Sequence, residues 1–321
     1  MSNELTLLAL GRGSDRVDEA WARSGQVTSI VRFERAAPSG VRFGKRVFGI
    51  AVDSLLLASK ARLRHRNERF LCANPWIAVA LRAVGLSAHA VTGLYAVPGT
   101  NSWKLLRRSL RNTPIVTTAE IEAEQWVDQG GKATAVLYGN TFKYPVAARS
   151  SEVPTIFIGG TSDRDADLID SLIDEVRSDT QNVRLLVADG SGARIWTGEQ
   201  AEIEHFGRVS SEEFGRIMST SSVVFLPILN KPRASGHMVC VGALECGLPV
   251  VSSECTGMDG YVDGEFVTYL DPMTSIVTQL IERAAESPDS LQIIEFWEDN
   301  FSLNAYVGRV LAAVDKLTAL P

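Results

Sequence analysis

From residue 154 onward the chain alternates short β-branched runs, at 155–158, 183–188, 203–206, 223–229, 249–252 and 266–270, with stretches of helical periodicity. Runs this short, separated by amphipathic helices, predict parallel strands in a doubly wound sheet. Between the first two runs, Leu168, Ile169, Leu172, Ile173 and Val176 recur at helical spacing, which predicts a core-facing helix over 163–177. A second helix is expected from Ser210 or Ser211 to residue 219, with Glu212 and Glu213 suiting the dipole of its first turn, and a third after Gly236.

The first half repeats the alternation: a strand at 5–10, a Gly11-Arg12-Gly13-Ser14 turn, a helix at 18–23 and a strand at 27–33. A helix over 46–64, a strand at 69–73 and a helix opened by Asn74-Pro75-Trp76 follow. A strand at 115–117, a helix at 119–128, a Gly130-Gly131 turn and a strand at 133–137 complete it. The expected fold class is α/β with two Rossmann-like domains, residues 1–146 and 154–300, joined by a polar linker at 147–153. A last helix over 303–317 turns Val307, Val310, Leu311 and Val314 to one face and must pack on something.

Composition narrows the class without changing this layout. With 45% hydrophobic and 22% charged residues the chain is neither disordered nor of low complexity. The apolar stretch 47–58 is broken by Gly49 and Asp53, too short for a membrane span. Cys72, Cys240, Cys246 and Cys255 form no C-x-x-C pair and no signal-peptide core follows Met1, so free thiols and a cytoplasmic setting are expected. Charge is unevenly divided: residues 1–150 hold 21 Lys+Arg against 11 Asp+Glu, and residues 151–321 hold 11 against 27. A basic half of this kind suits an anionic partner, phospholipid or nucleic acid, or is simply a solvated surface. Two segments concentrate it, 60–66 and Trp103 to Arg111. They have the make-up of a peripheral contact with an anionic inner membrane face, or of ordinary helices packed by their leucines.

Three places carry candidate chemistry. The first strand of the second half runs into Gly159-Gly160-Thr161-Ser162-Asp163-Arg164-Asp165. Glycines let a ligand approach the backbone there, the following helix offers free N–H groups, and Arg164 adds a cation for a diphosphate. Alternatively Ser162 caps that helix with Asp165 reciprocating. Asp163 and Asp165 also spell a D-x-D metal motif, although carboxylates in a first helical turn suit the dipole alone. The segment from Leu226 through Lys231, Pro232, Arg233, Ala234, Ser235 and Gly236 to His237 turns from a strand end into a helix. Its cations and helix amides suit a leaving nucleoside diphosphate, with solvated loop charge as the plainer account. Cys240 and Cys246, lacking metal-ligand spacing, read as packing residues. The loop with Gly11, Gly13 and Asp15 offers a carboxylate for a general base.

This order of strand, Gly-Gly, basic helix start, Phe206-Gly207-Arg208-Val209-Ser210, the Ser235-Gly236-His237 helix and Gly247-Leu248-Pro249-Val250-Val251 resembles the C-terminal domain of GT-B nucleotide-sugar glycosyltransferases. It is most similar to the retaining, metal-independent, family 4-like group. Less specifically, Val116 to Glu120 and Tyr138 to Thr141 look like the end of that fold's N-terminal domain. The resemblance implies two Rossmann-like domains facing a cleft, with residues 301–321 crossing back to the N-terminal domain. It implies a nucleotide sugar as donor, no cofactor or metal, and an acceptor that the motifs do not identify. It places donor contacts at Gly160, Arg164, Gly207, Arg208, Lys231, Arg233, Ser235 and Gly236, with His237 and Asp15 as candidate catalytic groups and Gly11 and Gly13 on the acceptor side. The group's two glutamates fall on Ala234 and Gly242 in this chain, leaving Glu245, one helical turn beyond Gly242, as a ribose ligand or a surface residue. Three rivals stay open: a dinucleotide oxidoreductase, disfavoured because no G-x-G-x-x-G opens a helix; a GT-B-shaped binding protein without catalysis; and a transferase acting on nucleic acid.

Overall fold

The computed structural model describes residues 4–11, 13–34, 43–94, 96–110, 112–147, 153–178, 182–286 and 288–319, the side chains of 43–48 excepted. Arg12, Arg111 and positions 148–152 of the expected linker lie outside the described residues. The chain divides into two units: residues up to Leu137 with those from Tyr306 on, and Tyr138–Ala305.

In the first unit, β1 (Leu5–Leu10), α1 (Asp15–Arg23), β2 (Val27–Phe33), α2 (Phe43–Arg64), β3 (Arg69–Cys72), α3 (Pro75–Ala83), β4 (Ala88–Thr92), α4 (Asn101–Leu110), β5 (Ile115–Thr117), α5 (Glu120–Asp128) and β6 (Ala133–Ala135) alternate without exception. The sheet is parallel, in the order β2-β1-β3-β4-β5-β6. Periodicity did not single out β4, whereas α4 falls on the amphipathic segment 103–111. Ala88-His89-Ala90 carries little β-branched signal, and its strand is recruited by neighbours on both edges. The core joins Leu8, Leu57, Phe70, Ile77, Leu81, Val91, Trp103, Leu106 and Trp126. That placement decides the reading of the basic segment beginning at Trp103: its Leu106 and Leu110 are buried, so they pack α4 onto the core and offer nothing to a membrane. Arg107 lies 4.5 Å over the Trp126 ring and donates to the Trp126 carbonyl.

The second unit contains β7 (Thr155–Gly159), α6 (Ala166–Ser178), β8 (Val183–Ala188), β9 (Arg194–Thr197), β10 (Ala201–His205), α7 (Ser211–Met218), β11 (Val223–Leu226), α8 (His237–Glu245), β12 (Val250–Ser252), β13 (Val267–Tyr269), α9 (Ile276–Glu286) and α10 (Ser290–Phe301). Its sheet runs β13-β12-β11-β7-β8-β10-β9. All pairings are parallel except that of β9, an exposed edge strand antiparallel to β10 that the six apolar runs did not announce. The last helix, α11 (Leu303–Ala319), begins in this unit and ends in the first. There Val307, Val310, Leu311 and Val314 are buried.

The units part at 137/138, earlier than the expected limit at 146. The intervening segment is tied into the second unit by its backbone. Tyr138 N–H donates to the Tyr261 hydroxyl at 2.7 Å, Asn140 N–H to the Phe301 carbonyl at 2.8 Å and Ala147 N–H to the Cys246 carbonyl at 2.8 Å.

Candidate functional site

In the second sheet β7 is the first strand, and its neighbours β8 and β11 lie on opposite sides, so the chain order switches there. The loops beyond the carboxyl ends of β7 and β11 therefore diverge and leave a crevice. They also bind each other: Asp165 N–H donates to the Pro227 carbonyl at 3.0 Å and Leu229 N–H to the Asp163 carbonyl at 2.9 Å. Gly160 follows β7 with φ +93°, a left-handed conformation that suits glycine, and a Cβ there would collide with the Arg164 guanidinium.

The loop is not the first turn of a helix. α6 starts at Ala166, three residues later than the periodicity suggested, because Asp165 caps it, accepting from Leu168 N–H at 3.1 Å. Ser162 is therefore not the cap, and Asp163 and Arg164 stand before the helix. Asp163 has φ +52° and a side chain 7% exposed. It accepts from Lys231 Nζ at 2.5 Å and is paired with Arg233. Burial works against its charge, but these two cations prevail and hold the Asp163 carboxyl below the usual range. Lys231 and Arg233, expected as donor contacts or as solvated loop charges, are both paired with Asp163, and the Asp163 carboxylate is committed to them. Among the described residues no group of three or more acidic, His or Cys side chains is placed to hold a metal ion.

Arg164 donates through Nε and Nη2 to the Gly159 carbonyl, at 2.8 and 2.5 Å, and through Nη1 to the Ser162 carbonyl. Burial lowers its pKa to about 10, against the opposing pull of Asp163, and it remains cationic at neutral pH. The other wall comes from α8, buried from Val239 to Glu245. Its N-cap is Gly236 at φ +78°, which offers no side chain to the first-turn N–H groups. The end of a buried helix is thus left with donors and dipole directed outward. Just before it Ser235 is 4% exposed and its Oγ has no hydrogen-bond partner.

His237, the first residue of α8, meets Tyr138 edge-on at 5.1 Å and lies along Tyr261 at 6.1 Å, and its Nδ1 has no partner. Burial, reinforced by Arg164, depresses its pKa to about 4. The ring is neutral at pH 7, suited to hydrogen bonding or accepting a proton, not to acting as a resident acid.

These groups surround a cavity of about 420 Å³. Of the sequence-predicted donor contacts, Gly160, Arg164, Arg233, Ser235, Gly236 and His237 line it. Lys231 reaches it only through Asp163. Gly207 and the exposed Arg208 lie in the loop after β10 and are not part of its wall. Glu245 is not the surface residue considered for it. It is 6% exposed, and its carboxylate accepts the N–H groups of Phe142 and Lys143, both at 2.8 Å. Asp163 is also on the wall, and so are Phe142, Tyr144, Ser211 and Phe214, which sequence reasoning did not place at the site. The signal was an aromatic-Lys-aromatic triplet in a polar stretch, and its meaning depends on glycines that are distant in the chain.

In the first unit Asp15 is exposed at the N-terminus of α1, whose cap is Ser14, accepting from Val17 N–H at 3.3 Å. Gly11 has φ +81°. Gly13 lies beneath Arg32, which is paired with Asp18, and a Cβ there would strike that guanidinium.

Residues 154–284 match the sequence profile described as glycosyl transferases group 1. Comparison with curated protein sequences finds no match. Among solved structures, sucrose-phosphate synthase from Thermosynechococcus elongatus superposes with a TM-score of 0.71 at 14% identity, covering 99% of this chain and 100% of that one. A UDP-forming α,α-trehalose-phosphate synthase from Burkholderia vietnamiensis gives 0.66 at 12%, with 100% of each chain covered. Anabaena HepE in complex with UDP-glucose gives 0.64 at 13%, covering 99% and 100%. The likeness to these structures shows a shared GT-B fold, and the sequence similarity to glycosyl transferases group 1 lies within the second unit.

Proposed function

We propose that the second unit binds a nucleotide-diphosphate sugar in the cavity beside β7 and α8, and that the enzyme transfers its sugar to an acceptor hydroxyl without a metal ion. One observation carries this. The uncapped end of buried α8, the partnerless Ser235 hydroxyl and the Arg164 guanidinium converge on one cavity, whose one acidic lining side chain, Asp163, is taken up by Lys231 and Arg233. A departing nucleoside diphosphate gains charge as the glycosidic bond breaks, and preorganised donors stabilise that charge where it forms. Asp163, holding Lys231 and Arg233, moderates the field at one edge and is not free for a cation. For a retaining outcome the donor phosphate itself takes the acceptor proton. Titration with UDP-, GDP-, ADP- and dTDP-sugars should give saturable binding by one of them and slow donor hydrolysis; no binding by any overturns the reading.

A second reading concerns the acceptor. On α2, Leu55, Leu56 and Leu63 are exposed, Leu63 by 85%, among Lys60, Arg62 and Arg64. Apolar side chains ringed by cations suit an anionic bilayer, and we infer that the first unit meets its acceptor at such a surface. No helix among the described residues is long and apolar enough to cross a membrane. The protein should sediment with phosphatidylglycerol vesicles and not with phosphatidylcholine ones, and Leu56→Glu with Leu63→Glu should release it. Salt-sensitive binding to DNA instead, unchanged by those substitutions, would transfer the basic half to a nucleic-acid partner.

A further inference from the structure

Part of the cavity wall is aromatic. Phe142 and Tyr144 stack with centroids 4.9 Å apart and planes within 10°, and both line the wall with Phe214. Tyr144 occupies a slot that only glycines permit. A Cβ on Gly242 of α8 would lie 3.0 Å from its ring, and one on Gly215 of α7 would overlap it. Its hydroxyl lies 3.2 Å from Ser211 Oγ at the start of α7.

The backbone between the two rings is held in place. Lys143 has φ +63°, unfavourable for a residue with a side chain. Each oxygen of buried Glu245 takes one N–H of that turn, from Phe142 and from Lys143. Substituting the carboxylate would leave two inward-facing amides unmet and release the turn. Glu245 therefore fixes the backbone that orients two partly exposed rings at a cavity wall.

Gly242 is also the position at which the family resemblance calls for a carboxylate facing the ribose. In this chain the missing side chain makes room for Tyr144. Five residues separate Gly242 from His237, about 7.5 Å along the helix. The aromatic face thus begins roughly one ribose away from the anion-binding end.

We propose that Phe142 and Tyr144, positioned by Glu245, form a stacking face for the nucleobase of the donor, so that this protein holds its nucleotide by aromatic contact. The inference rests on the donor reading above and assigns its base subsite. Every nucleobase has a π-face, and stacking on an aromatic side chain is tolerant of base identity, so the face supplies affinity and leaves base selection to neighbouring polar groups.

The test compares ligands that share a diphosphate. Affinities of the full chain for inorganic pyrophosphate, for UDP, GDP, ADP and dTDP, and for the matching nucleotide sugar are measured by calorimetry. Phe142→Ala and Tyr144→Ala should weaken nucleoside diphosphate binding about tenfold or more and change pyrophosphate binding less than about twofold. Tyr144→Phe and Phe142→Tyr should keep most of the affinity. Glu245→Gln should lose the nucleotide selectively, whereas a merely structural glutamate would affect both ligands alike. Thermal melts identify a variant that fails to fold. In that event Gly242→Ala, which presses on the ring without removing it, replaces it. Equal losses for pyrophosphate and nucleotide, no loss at all, or a loss seen only when the sugar is attached would each overturn the stacking face while leaving the donor reading intact. Wild-type protein that binds pyrophosphate but no nucleotide would overturn both.

Discussion

Each sheet has its chain reversal after its first strand, and the two loops there make an instructive pair. In the first unit, Gly11 to Asp15 leads into α1, where Ser14 caps the helix and Asp15 and Asp18 occupy the first turn. Its positive end is already satisfied by the protein. In the second unit the loop after β7 supplies Gly160 and Arg164, and the facing α8 has a glycine cap, no acidic residue in its first turn and an unsatisfied serine beside it. Motifs of similar appearance thus do opposite things. What distinguishes an anion site from a well-finished helix start is the balance of unmet donors, not the presence of glycines.

The sharpest way to break the comparison is Arg164→Ala. It removes a buried cation whose charge-assisted contact with an anionic ligand is worth roughly 2–3 kcal/mol, so donor affinity should fall by about 30- to 150-fold. Lysine at this position would recover only part, since it keeps the charge and loses the fork that holds the Gly159 carbonyl. An affinity for the donor diphosphate unchanged in Arg164→Ala would remove this arginine from the site.

Asp163→Asn probes the edge of the same field. The carboxylate neutralises Lys231 and Arg233, so the amide should tighten pyrophosphate binding by about tenfold, close to the 1.4 kcal/mol that such a factor represents. It should also steepen the dependence of binding on salt. Looser binding in titrations across salt concentrations would mean that Asp163 orients the two cations for the ligand rather than restraining them.

Ser14→Ala is the counterpart in the first unit. Loss of the cap should destabilise α1 by about 1 kcal/mol, visible in urea unfolding followed by hydrogen exchange in residues 15–23. Pyrophosphate affinity should not move. If it did, the first loop would belong to the anion site and the contrast between the loops would fail.

Most of this contrast was legible in the sequence, because strands, glycine turns and helices declare themselves through local periodicity. The alternation of unit 2 and the convergence of Gly160, Arg164, Ser235 and His237 follow from the order of those elements. What stayed hidden depends on partners far apart in the chain. No local signal shows that Asp163 holds Lys231 and Arg233, 68 and 70 positions away. Nor does any show that Glu245 faces inward to Phe142 and Lys143, since a glutamate late in a helix ordinarily meets water. The slot for Tyr144 needs Gly215 and Gly242 together, and neither glycine lies in a turn. Ala88-His89-Ala90 is a strand because of its neighbours, not its composition.

The smallest effect is carried by His237 and concerns protons. Its pKa is about 4 in the folded protein against 6.5 for a free imidazole, so the unfolded chain takes up the proton first as pH falls. Stability from this group is complete above pH 6.5 and is lost progressively as the pH drops toward 4. The Asp163 carboxyl, held low by its cations, loses its contribution only at still more acid pH, as pH falls through its depressed pKa. A diphosphate beside the imidazole reverses the preference, since a nearby anion favours the charged ring. Binding near pH 5.5 should therefore be accompanied by proton uptake, and affinity should rise a few-fold, on the order of 0.5–1 kcal/mol, from pH 7 to 5.5. Calorimetry in buffers of different ionisation enthalpy measures the uptake directly. His237→Gln should abolish both the uptake and the pH dependence of affinity while retaining a hydrogen-bonding group of similar size. Proton uptake that persists in that variant would place the titrating group on the ligand's own phosphate, and the end of α8 would then act through its amides and Arg164 alone.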